Sequence, residues 1–208
     1  MTVGSHNIKT LCQKLKSSGL KATFYITTQQ MADTGFPGFM RRSQVAEIHN
    51  AGHKIGAHTR THRDLVQLNQ TERPSEIKGS REDLLSWNLG QVLTFAYPFG
   101  SYDANVIDMA QNAGYTSAAA TLDGYAKPTS DPYQLQRQGI TRNVTASTIK
   151  SWIDKAMTEK KWLVLSFHSI DYSGTEYSTT PEIFNEIVDY LSAKKIPVVT
   201  ISQGVSAL

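Results

Sequence analysis

The chain has 208 residues, a formal charge of +3, 39% apolar and 19% charged residues, and a single cysteine. That length and balance fit one globular domain, 1–208, with a substantial core and no composition shift to divide it. The mild positive charge carries no Lys/Arg run and no interleaved aromatics, which disfavours nucleic acid as a partner, and no apolar stretch reaches transmembrane length.

The first element is a helix over Ile8 to Ser17, stopped at Gly19, with Ile8, Leu11, Cys12 and Leu15 on one stripe. Cys12 therefore reads as a small core residue, and one cysteine supports neither an internal disulfide nor a Cys-based zinc site. Ala22 to Ile26 is a strand, and Ser43 caps a helix carrying Val45 and Ile48 that ends near Gly52. A short strand over His53 to Ala57 follows, then a helix from Glu72 to Leu89 with Ile77, Leu84 and Leu85 on its apolar side. Leu93 to Tyr97 is a strand stopped by Pro98 and Gly100, and Asp103 opens a helix closing at Gly114. Thr116–Ala120 and Leu135–Ile140 read as strands, with a helix over Ala146–Glu159. Trp162 to Phe167 has the continuous apolar character of a parallel strand buried on both faces. Thr180-Pro181-Glu182 starts a helix burying Ile183, Phe184, Ile187, Val188 and Leu191, and Pro197–Ile201 is the last strand. About seven strands alternating with helices, beginning on a helix, point to an incomplete (β/α) barrel within the α/β class.

His58-Thr59-Arg60-Thr61-His62 leaves the strand over His53 to Ala57. Two imidazoles at that spacing converge on one ion, and imidazole suits zinc, nickel, iron and copper. The same spacing also arises on a solvated turn, and two ligands fall short of the three that a catalytic zinc takes from protein. Further polar residues stand at the carboxyl ends of strands, the edge where α/β folds place their chemistry: Tyr97-Pro98-Phe99-Gly100, Arg137, and His168 with Asp171 beyond it. A histidine leaving a buried strand is either a satisfied core residue or part of a site, and sharing the edge of the His pair favours the site for His168. No Gly-x-Ser-x-Gly elbow supports a serine hydrolase.

In chain order, Lys21–Ile26, Gly52–His62, Ala96–Gly100 and Leu163–His168 resemble the motifs of the polysaccharide deacetylase family, the NodB-homology domains of carbohydrate esterase family 4. The resemblance runs over essentially the whole chain. It implies a distorted (β/α) barrel and a divalent metal, zinc with cobalt or nickel as alternatives, held by His58 and His62. It implies that Tyr97, Pro98, Phe99 and Gly100 wall the substrate groove, and that His168 is the general acid. The implied reaction removes N-acetyl or O-acetyl groups from a polysaccharide or oligosaccharide. The implied location is secreted or associated with the cell envelope, although the sequence opens with no signal peptide.

The departures are specific. The family's first motif, Thr-Phe-Asp-Asp-Gly, supplies the catalytic base and the third metal ligand, and its place falls at or before Met1. The first barrel strand is thus expected to be missing, with a partner chain or strand exchange closing the gap. Ala96 stands where the family has an arginine that orients the base; Arg137 is either its replacement from a neighbouring strand or a plain salt-bridge arginine. The fourth motif has no clean counterpart, though Asp123 and Asp131-Pro132-Tyr133 lie in its region. The alternative to an active hydrolase is accordingly a catalytically impaired carbohydrate-binding homologue.

Overall fold

The computed structural model describes residues 8–208. Helix α1 (Ile8–Ser17) leads into β1 (Thr23–Ile26), α2 (Arg42–Asn50), β2 (Lys54–Ala57), α3 (Glu72–Ser86), β3 (Thr94–Ala96), α4 (Ala104–Asn112) and β4 (Ser117–Asp123). Then come β5 (Leu135–Gly139), α5 (Ala146–Glu159), β6 (Leu165–Ser166), β7 (Ser169–Ile170), β8 (Ser178–Thr179), α6 (Pro181–Ala193) and α7 (Ile201–Val205). Side-chain caps start several helices where the sequence places them. Asp103 accepts from the Val106 N–H at 2.8 Å, and Thr145 from Thr148 at 3.2 Å. Thr180 accepts from Ile183 at 3.4 Å, with Pro181 at the first helical position.

The main sheet is parallel throughout, with its six strands in the order β1-β2-β3-β4-β5-β6. A doubly wound sheet reverses its strand order at a switch point. Here each crossover steps to the next position, so the twisted sheet curls one way into a half-barrel with helices outside. Tyr25 lines the concave side. Strand alternation turns Phe24 and Ile26 outward, where they are buried with Ile55 and Phe95 in one core that continues from Ile8 to Val188. Phe95, fully buried, contributes about 1.5–3 kcal/mol by its transfer from water.

Several expectations are corrected. Pro197–Ile201 is not a strand, because no described strand lies beside it to form a ladder, and Ile201 already begins α7. Thr200 instead pairs with Gln203 and caps α7, and the Ile201 N–H donates to Thr23 Oγ1 at 3.0 Å. Of Trp162–Phe167, only Leu165 and Ser166 join the sheet, and Trp162, Leu163 and Leu165 are half-buried rather than enclosed. Their far side opens on a cavity. Leu85 is 39% exposed, because it falls off the side of α3 that buries Arg73, Glu76, Ile77, Ser80 and Leu84. Ser43 lies inside the first turn of α2; the cap belongs to Arg41, whose N–H donates to Gln44.

Candidate functional site

At the end of β2 the chain turns sharply through His58–His62. Thr59 and His62 take left-handed backbone conformations, φ 64° and 59°, which cost about 1–2 kcal/mol each for residues with a Cβ. Surrounding hydrogen bonds over-determine the turn. The His58 N–H donates to Ile26 O at 2.9 Å, and the His62 N–H to Thr59 Oγ1 at 2.9 Å. The loop after β1 caps the carbonyls: Thr27 Oγ1 donates to His58 O at 3.2 Å, Thr28 N–H to Thr59 O at 3.1 Å, and Gln29 N–H to Arg60 O at 2.8 Å. Gln30 Nε2 donates to Thr61 O at 2.9 Å. On the opposite side a carboxylate of α3, Glu76, takes the N–H groups of Arg60 and Thr61.

This turn brings the imidazole rings of His58 and His62 to 4.7 Å between centroids, at 80° to each other. His58 Nδ1–H donates to Ala96 O at 2.8 Å, which fixes the tautomer and leaves Nε2 with a free lone pair. Burial, then the neighbouring His62, pushes the His58 pKa down to about 3, and burial also lowers that of His62. Both rings are therefore neutral near pH 7, the form in which imidazole binds a metal. The pair suits an imidazole-preferring divalent ion as two of its ligands. Among the described residues, no cluster of three His, Cys, Asp or Glu side chains could hold one.

A cavity of about 450 Å³ on the concave side of the half-barrel gathers most of the expected residues: His58, His62, Tyr97, Phe99, Gly100, Arg137 and His168. Pro98 is buried and does not line it. Tyr97 is packed, stacked on Tyr102 at 4.9 Å, with its hydroxyl donated to Tyr133 O at 3.0 Å, so it backs the wall. Phe99 stands on the rim, 66% exposed, with its ring 4.9 Å from that of His62. Burial lowers the His168 pKa to about 4, and its Nδ1 is buried with no partner among the described residues. Arg137 donates to Ser166 Oγ, and desolvation lowers its pKa. No Asp or Glu among the described residues lines the cavity.

The acids near these motifs are engaged locally. Asp64 accepts from Val66 N–H at 3.1 Å, Asp131 from Tyr133 N–H at 2.8 Å, and Asp171 from Ser173 N–H at 2.9 Å. Two residues at the site escape sequence reasoning. Tyr177, its ring 5.2 Å from His168, lies in a loop without periodicity. Glu76 sits beside Ile77 on a helix, and its only sequence signal is a charge next to the apolar stripe. Between β1 and β6 no described strand closes the barrel, and Leu15, Phe184, Leu191 and Val199 line the cavity on that side.

Comparison with known proteins agrees with the half-barrel fold. YxkH of Bacillus subtilis (strain 168), assigned by name to the polysaccharide deacetylases, is 25% identical over 140 residues, 67% of this chain and 49% of its own length. A chitin deacetylase of Pestalotiopsis sp. is 31% identical over 114 residues, 54% of this chain and 37% of its own. The chain thus spans about half or less of the length of these relatives. Among solved structures, the Streptococcus pyogenes deacetylase PplD in complex with acetate superposes with a TM-score of 0.64 at 23% identity, over 70% of this chain and 64% of that one. A family model described as polysaccharide deacetylase matches residues 3–118, more than half of the sequence and a span that includes the His turn and the Tyr97–Gly100 wall. By that match the chain belongs to the polysaccharide deacetylase family.

Proposed function

We propose that the chain is a metal-dependent hydrolase removing N-acetyl, or O-acetyl, groups from a polysaccharide or oligosaccharide. One observation carries the reading: His58, with its Nε2 left free by the bond to Ala96, shares one cavity with His62 and His168. A divalent ion held by His58 and His62, zinc or alternatively cobalt or nickel, would supply the positive charge that polarises an acetyl carbonyl. His168 is assigned the proton donated to the leaving amine or alkoxide, and its pKa near 4 in the bare protein is raised by the negative charge that develops there. The Phe99 N–H, on a left-handed turn at the rim, is assigned to the developing oxyanion, a contact worth roughly 3 kcal/mol. The exposed Phe99 ring offers a sugar an apolar face. Arg137 projects a desolvated positive charge into the cavity and is assigned the orientation of the catalytic carboxylate.

That carboxylate is not among the described residues lining the cavity, and this favours a second reading, sugar binding with little turnover. We assign the base and third ligand to an acidic strand seated in the open side between β1 and β6, from the same polypeptide or by strand exchange. Its action on envelope or extracellular polymer is likewise proposed from the family. The test is calorimetric titration with Zn²⁺ or Co²⁺ alongside acetate release from acetylated chitooligosaccharides. Metal binding lost in His62→Ala supports the site, and metal bound elsewhere overturns it. Weak or absent acetate release is expected of the 208-residue chain, whereas rapid release would refute the assignment of the base outside the described residues.

A further inference from the structure

We propose that Glu76 is a positioning residue for the metal site: its buried carboxylate holds the His58–His62 turn in the form that aims both imidazoles at one ion. The proposal rests on the metal reading of the His pair. Glu76 is 6% exposed, and it lines no part of the cavity. A buried carboxylate is costly unless its oxygens are satisfied, so its partners show what it is for. Oε2 accepts from the N–H groups of Arg60 and Thr61, both at 2.9 Å, and Oε1 accepts from the Thr61 hydroxyl at 2.5 Å. All three donors lie between the two histidines.

The rest of α3 is built to the same end. Ser75, Gly79 and Asp83 recur every four residues and so stack along one face of the helix. The Arg60 side chain lies along that face. It reaches Ser75 Oγ at 3.1 Å and both oxygens of Asp83 at 2.9 and 2.8 Å. A Cβ on Gly79 would stand 2.5 Å from its guanidinium carbon, which explains an otherwise unfavourable glycine in mid-helix. Asp83 also accepts from Thr28 Oγ1 at 2.7 Å, tying the same helix to the loop that caps the carbonyls of the turn. With left-handed residues at 59 and 62, the bond inside the turn, His62 N–H to Thr59 Oγ1, is supplemented from outside. The N–H groups of Arg60 and Thr61 are fixed from α3, and the carbonyls from the loop after β1. Groups that orient metal ligands from behind commonly change affinity about 10–100-fold when removed.

The experiment compares Co²⁺ affinity and the visible Co²⁺ spectrum in wild type, Glu76→Gln, Glu76→Asp and Glu82→Gln, well below the melting temperature. Glu82 is an exposed carboxylate of the same helix and serves as the control. Glu76→Gln is expected to bind Co²⁺ about 10–100-fold more weakly with an altered spectrum, Glu76→Asp to recover part of the loss, and Glu82→Gln to match wild type. If Glu76→Gln does not fold, Glu76→Asp decides: weaker Co²⁺ binding supports the proposal and wild-type binding overturns it. Melting lowered with Co²⁺ affinity and spectrum unchanged would overturn the proposal, because a purely structural glutamate behaves that way. A wild-type chain that fails to bind Co²⁺ would instead overturn the metal reading, and the role of Glu76 toward a metal would go with it.

Discussion

Replacing Gly100 by alanine probes the turn that carries the Phe99 wall, through two separable effects. Gly100 has φ +69°, a region that costs a residue with a Cβ about 1–2 kcal/mol. The added methyl would also stand 2.1 Å from Thr121 Oγ1, 2.3 Å from Cγ2 and 2.6 Å from Cβ. Rotating the threonine relieves the first two contacts but not the third, so backbone must move, an overpacking penalty of about 1–3 kcal/mol. The sum is a loss of about 2–5 kcal/mol, or roughly 5–15 °C in Tm for a chain of this size. Thermal and urea unfolding followed by circular dichroism measure it. Repeating the change in a Thr121→Gly background removes the contact and leaves the backbone cost, so the loss should shrink to about 1–2 kcal/mol. A Gly100→Ala protein within about 0.5 kcal/mol of wild type would refute the reasoning. So would an equal loss in both backgrounds, since the Thr121 contact would then have no cost.

Phe95→Ala should lower stability by about 3–5 kcal/mol in urea, since a fully buried ring in contact with Tyr97 and Tyr115 leaves a cavity; a loss under about 1 kcal/mol would contradict the packing. Phe99→Ala, at an exposed rim, should leave stability within about 0.5 kcal/mol yet weaken chitooligosaccharide binding roughly tenfold, and unchanged affinity by titration would remove Phe99 from the groove. Metal-free protein should lose stability in acid. Burial holds the folded pKa values of His58 and His168 at about 3 and about 4, below the usual 6.5, so between 6.5 and those values the unfolded chain binds more protons. Their contribution is full above pH 6.5 and lost as pH falls through that window. Urea midpoints for wild type and a His168→Phe variant should therefore converge or cross on acidification, and parallel pH profiles would contradict neutral burial.

Local chemistry in the sequence determined much of this molecule. The Asp103, Thr145 and Thr180 caps, the Pro181 start and the apolar stripes fixed helices α4 to α6 nearly to the residue, because a cap acts within one turn of the chain. The His58–His62 turn, Tyr97–Gly100 and the Leu163–His168 segment, taken in order, carry the family resemblance, and the family match over residues 3–118 bears it out. Tertiary structure decided what depends on a neighbour distant in sequence. Pro197–Thr200 has strand-like residues, yet a strand exists only where another backbone offers hydrogen bonds, and none of the described residues does so there. Trp162–Phe167 reads as fully enclosed but borders the open side of the half-barrel. On α3, Ile77 and Leu84 set the helical period, but the polar side chains interleaved with them act only once the turn after β2 is laid against that face. Sequence thus determined which groups are present and how each short segment coils; the fold alone set which faces meet, because burial and hydrogen-bond partnership belong to pairs of segments.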